Sequence, residues 1–92
     1  MESRAKGTMI LRSGGGFYKV LKLRSLGENS YVFECKDLEM RKSRVFNFKM
    51  LGLLEAVNEA FKVMKSPKDI FFLDLDNKGK WEIINEDKLQ KL

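Results

Sequence analysis

From Arg44 to Met50 the side chains alternate with a period of two, Phe46, Phe48 and Met50 on one side and Val45, Asn47 and Lys49 on the other. At Met50 the period changes. Met50, Leu53, Leu54, Val57, Ala60, Phe61 and Met64 recur at helical spacing, and Glu55, Asn58, Glu59, Lys62 and Lys65 take the opposite face. A period of two sets successive side chains on opposite faces of a sheet, whereas a period near 3.6 gathers them on one stripe of a helix. The switch predicts a half-buried strand followed by an amphipathic helix of about four turns. Pro67 ends that helix, because its ring removes a backbone donor and disfavours helical geometry at Ser66.

The segments before and after this junction read as strands. Thr8 to Arg12 is a short β-like run closed by Ser13-Gly14-Gly15-Gly16, whose glycines tolerate positive φ and read as a loose hairpin end. In Phe17 to Arg24, Phe17, Leu21 and Leu23 fall on one side and Tyr18, Val20, Lys22 and Arg24 on the other, giving one apolar and one basic-aromatic face. Turn residues from Ser25 to Ser30 lead to Tyr31–Asp37, where Tyr31, Phe33 and Cys35 alternate with Val32, Glu34 and Lys36. Beyond the helix, Ile70 to Leu75 and Lys80 to Asn85 flank the turn Asp76-Asn77-Lys78-Gly79 as a hairpin, and Glu86 to Leu92 is long enough for a single helical turn. The expected fold is α+β in one domain of 92 residues: an antiparallel sheet of about four to six strands with one long amphipathic helix packed on one face. A first ββββα unit spans about residues 8–66 and an extra hairpin about 69–85.

Several classes of chemistry are set aside by composition. The chain has no histidine and one cysteine, Cys35, so it has no internal disulfide, almost no ligands for a transition metal and no imidazole base. Gly14 to Gly16 lacks the Lys-Ser/Thr and helix start of a phosphate-binding loop. Asp74 and Asp76 share one side of a strand, yet the turn beginning at Asp76 gives them hairpin-end hydrogen bonding as their ordinary role. A non-enzymatic protein without cofactor or metal is expected. Met1 to Lys6 is polar and no run of eighteen apolar residues occurs, so the expected setting is intracellular, in cytoplasm or nucleus, away from membranes and not secreted.

Charge distribution favours a polyanion. Lys and Arg number 18 against 13 Asp and Glu, and residues 1–49 hold eleven basic and five acidic groups, net +6, whereas the remainder is net −1. Proteins that hold single-stranded nucleic acid combine a positive track for phosphates with rings on which bases stack. Lys19, Lys22, Arg24, Arg41, Lys42, Arg44, Lys78 and Lys80 are the candidate phosphate contacts, with Tyr18 and Trp81 as candidate stacking rings on a shared outward surface. A solvated basic face with packed rings is the plainer alternative.

The run Phe71-Phe72-Leu73-Asp74-Leu75-Asp76-Asn77-Lys78-Gly79-Lys80-Trp81-Glu82-Ile83 resembles the opening hairpin of a PUR repeat, from the purine-rich-element family that binds single-stranded DNA and RNA. Phe17-Tyr18 and Lys42-Ser43-Arg44 are similar to the strand openings of the second half of such a repeat, and the four-strands-then-helix order is also like that of the plant Whirly fold. Leu26-Gly27-Glu28-Asn29-Ser30-Tyr31 departs from the family's basic turn, and a second repeat is incomplete. The resemblance implies binding of single-stranded DNA or RNA across the sheet, with Lys80 and Trp81 at the family's basic and aromatic positions, and pairing of two chains into a homodimer. The alternative is a protein-interaction or assembly module, suggested by apolar strand residues Phe71, Phe72, Leu73, Trp81 and Ile83 in excess of what one helix covers.

Overall fold

A computed structural model describes residues 7–91; the polar start Met1–Lys6 and the last residue, Leu92, lie outside the described residues. The element order is β1 (Thr8–Ser13), β2 (Gly16–Gly27), β3 (Ser30–Asp37), β4 (Ser43–Lys49), α1 (Leu53–Val63), β5 (Asp69–Asp74), a single 3-10 turn (Leu75–Asn77), β6 (Lys80–Asn85) and α2 (Glu86–Leu89). The strands form one sheet in the order β4-β3-β2-β1-β5-β6.

This arrangement corrects the expected antiparallel sheet under one long helix. The sheet is mixed, because β5 runs parallel to β1 with Thr8 beside Ile70 and Arg12 beside Asp74, while the other four pairings are antiparallel. Parallel neighbours require a crossover, which α1 supplies by carrying the chain from the β4 edge back to β1. The helix is also shorter than its apolar stripe suggests, eleven residues or about three turns. Met50 and Leu51 precede it, Gly52 takes the left-handed conformation at φ 76°, and Met64 returns to extended backbone. The second helix, α2, is one turn capped by the Asn85 side chain, which accepts from the Asp87 amide at 3.0 Å.

Two apolar layers hold the sheet. On the α1 side Leu11, Phe33, Phe71 and Leu73 pack with Leu53, Ala60 and Met64. On the other side Ile10, Ile70, Phe72 and Ile84 cluster with Phe17 and with Leu89 of α2. Strands β1 and β5 are therefore buried on both faces, which is why Ile70-Phe71-Phe72-Leu73 is apolar without alternation. The second hairpin, β5–β6, belongs to the same six-stranded sheet as β1–β4.

The sheet curls toward α1 until its outer strand β4 meets the β5–β6 turn. A methyl group on Gly79 would stand 3.0 Å from the Phe48 ring and 3.2 Å from the Met50 sulfur, and the residue's φ of +79° already disfavours a side chain. Gly79→Ala is expected to cost about 1–3 kcal/mol, read as a lowered urea midpoint with an unchanged slope.

Candidate nucleic-acid interface

Cross-strand register decides which face each candidate side chain occupies. Tyr18 lies opposite Leu11 and Asp37, and Trp81 opposite Leu73, so both rings stand on the α1 side. Trp81 packs against Phe71 with ring centroids 5.0 Å apart and is 37% exposed, forming one wall of a groove with Ala60 and Val63 of α1. Tyr18 lies 5.0 Å from Phe46, and the Arg44 guanidinium sits 5.3 Å and 5.2 Å over these two rings. Arg44 Nη1 also donates to the Tyr18 hydroxyl at 3.2 Å. Gly16 makes room for this ring, since a Cβ there would meet the Tyr18 hydroxyl at 3.0 Å.

Lys19, Lys22 and Arg24 occupy the opposite, open face. Plain alternation places Lys22 and Arg24 beside Tyr18 and Val20. The pairing instead steps from Val20↔Cys35 to Lys22↔Glu34, leaving Leu21 as an extra residue that is 53% exposed. A bulge of this kind turns every later side chain to the other face. The single basic-aromatic surface expected from the sequence is thus divided between two sides of the sheet: the inserted residue moves Lys22 and Arg24, and Lys19 and Lys80 stand across from Tyr18 and Trp81 by plain alternation.

The remaining candidates lie at the end of the sheet where the hairpin turns gather. Arg41 and Lys42 sit in the β3–β4 turn, whose backbone Asp37 organises by accepting from the Arg41 and Lys42 amides at 2.8 and 3.4 Å; Arg41 also pairs with Glu39 at 2.6 Å. Lys78 occupies a left-handed position in the β5–β6 turn, and Lys80 faces Asp74 across the strands on the open side.

Two residues that sequence reasoning passed over complete the open face of β2–β4. Lys36 lies directly opposite Lys19, and Lys49 directly opposite Ser30. Their signal was present in the alternation of Val32, Glu34 and Lys36 and of Val45, Asn47 and Lys49 on the sides away from the rings. Among the described residues no carboxylate lies within 4 Å of the ammonium of Lys19, Lys22, Lys36 or Lys49, whereas Arg24 is paired with Glu34 at 3.4 Å. Like charges directly opposite in a sheet repel, so the Lys19–Lys36 pair is a standing attraction for an anion.

The acidic residues nearby are already committed. Asp76 accepts from the Gly14 and Gly15 amides at 2.7 and 2.9 Å, tying the β1–β2 tip to the turn after β5. Arg12 stands 3.8 Å from both Asp74 and Asp76. The glycine tip is therefore a fastened loop, and the two aspartates serve structure. Cys35 is buried on the α1 side, and desolvation pushes its thiol up to about 11, so it stays protonated and unreactive. Among the described residues no helix is long and apolar enough to cross a membrane.

Comparison with family models, with curated proteins and with solved structures found no match to this chain.

The amides of Gly15 and Gly14, with the charge of Arg12, hold the Asp76 carboxyl below the usual aspartate value, and the Arg41 and Lys42 amides do the same for Asp37. A depressed folded-state value means that this stability is fully present above the unfolded value near pH 3.9 and is lost as pH falls through the folded one. Urea midpoints are expected to decline from about pH 4 downward. Asp76→Asn should begin from a lower midpoint at neutral pH and decline less steeply.

Proposed function

We propose that this protein binds single-stranded nucleic acid through its phosphates, along the open face of β2, β3 and β4. The carrying observation is the group Lys19, Lys22, Lys36 and Lys49 on that face, without a described carboxylate partner and with Lys19 and Lys36 set against each other. A polyanion relieves this repulsion and releases counterions, which gives affinity without base recognition. The other β3 and β4 side chains on that face are Ser30, Val32, Glu34, Ser43, Val45 and Asn47. Its one ring among the described residues, Phe17 at the start of β2, is packed against Phe72 with the Arg12 guanidinium over it, so no free ring is offered for stacking. Contact with the backbone alone makes the binding tolerant of sequence. Arg44, held over Tyr18 and Phe46 beside the β3–β4 turn, adds a guanidinium at the end of the track but on the far side of the sheet.

The reading is tested by fluorescence anisotropy with a labelled single-stranded oligonucleotide over a range of salt. Four phosphate contacts give log K falling with log[salt] at a slope of about −3. Replacing Lys19 and Lys36 together by Ala is expected to weaken binding at low salt and to flatten the slope by about 1.4. A double variant that folds and retains the parent affinity and slope overturns the proposal, as does a parent protein that binds no oligonucleotide at low salt.

A further inference from the structure

The outer edge of the sheet at β6 carries a second kind of surface, independent of the cation track. Glu86 donates its amide to the Lys68 carbonyl at 2.9 Å, one step beyond the Asp69↔Asn85 pair. Because hydrogen-bonded and non-bonded pairs alternate in an antiparallel ladder, the backbone groups of Lys80, Glu82 and Ile84 face β5. Those of Trp81 and Ile83 face outward, where no strand follows β6 among the described residues. The side chains of Trp81 and Ile83 stand on the α1 side, 37% and 38% exposed, next to Val63 at 58%. On the opposite side Lys80 and Glu82 present opposite charges two residues apart.

We infer that β6 pairs antiparallel with β6 of a second copy of this chain, about a two-fold axis at Glu82, extending the sheet across two protomers. In this register Trp81 lies opposite Ile83 of the partner subunit and Ile83 opposite the partner subunit's Trp81. These are aromatic–β-branched pairs, among the favourable cross-strand combinations. Their outward backbone groups bond to each other, and the groove beside Val63 is covered. On the open side Lys80 lies diagonal to Glu82 of the partner subunit. The two Glu82 carboxylates meet at the axis, each also 3.5 Å from its own Lys88. The strand complements itself in its apolar pairs and in the Lys80–Glu82 diagonals, and the like-charge contact at the axis is offset by Lys88 beside each Glu82. β4, the other edge, bears Arg44 and Lys49 and no acidic residue, so self-pairing there gains no opposite-charge contact.

Cysteine cross-linking and sedimentation test this register. Residue 82 forms a non-hydrogen-bonded pair with itself at the axis, and such Cα atoms stand about 4.5 Å apart, within reach of a disulfide. Glu82→Cys is therefore expected to give a covalent dimer on mild oxidation, while Lys80→Cys, which faces residue 84 of the other copy, does not. The native Cys35 is buried and does not compete. The parent chain should sediment at twice its monomer mass, and Ile83→Lys should weaken association by about tenfold or more, with an unchanged circular dichroism spectrum. A parent chain that stays monomeric at high micromolar concentration overturns the inference, whether or not it binds oligonucleotide. Cross-linking through Lys80→Cys or through Val45→Cys on β4 in preference to Glu82→Cys also overturns it.

Discussion

The parallel contact between β1 and β5 is what the rest of the molecule depends on. Both strands are apolar on their two faces, so neither can lie at an edge without exposing a row of large side chains. Setting them side by side at the centre, with α1 over one face and α2 over the other, buries both rows at once. The chain accepts a long crossover to achieve this, and the remaining strands are added outward by hairpins. Two polar ties secure the joins: Asp69 accepts from the Lys65 and Ser66 amides where α1 gives way to β5, and Asp76 fastens the β1–β2 tip.

The same framework sorts the charges. Carboxylates at the turn end of the sheet are occupied by backbone amides and arginines: Asp76 and Asp74 by Arg12, Asp37 by its own turn, Glu39 by Arg41. Farther along β2–β4 only Glu34 faces the open side, and Arg24 takes it. Lys19, Lys22, Lys36 and Lys49 of that wing have no carboxylate within 4 Å among the described residues. Lys19, Lys22, Lys36 and Lys49 on one face give the local field a direction that an even spread of the same charges would lack.

Much of the local structure was legible because side-chain period is a direct physical consequence of backbone geometry. The strands from Tyr31 to Asp37 and from Arg44 onward announced their faces correctly, and the Lys80–Asn85 strand began and ended where its turn residues indicated. What escaped were features set by non-local contacts. The unbroken run Ile70 to Leu73 is the mark of a strand buried on both sides, yet its place beside β1 follows only from the path of α1. The helix stripe overran the helix because Met50 and Met64 contribute to the same core from flanking turns. The alternation of Phe17 to Arg24 is imperfect, with Val20 and Leu21 adjacent and both apolar, but that irregularity does not say that Leu21 is an extra residue that sends Lys22 and Arg24 away from Tyr18.

The central pairing also dictates an order of assembly. During synthesis β1 appears first, but its parallel neighbour does not exist until the chain has passed through three more strands and a helix. The fastening of Gly14 by Asp76 spans a separation of 62 positions. In the interval the nascent β1–β4 meander carries a greasy, uncapped border where β5 will later insert, a condition that slows maturation and invites adhesion to neighbouring chains. Emergence of β5, rather than closure of the earlier hairpins, therefore marks the moment at which that border is covered.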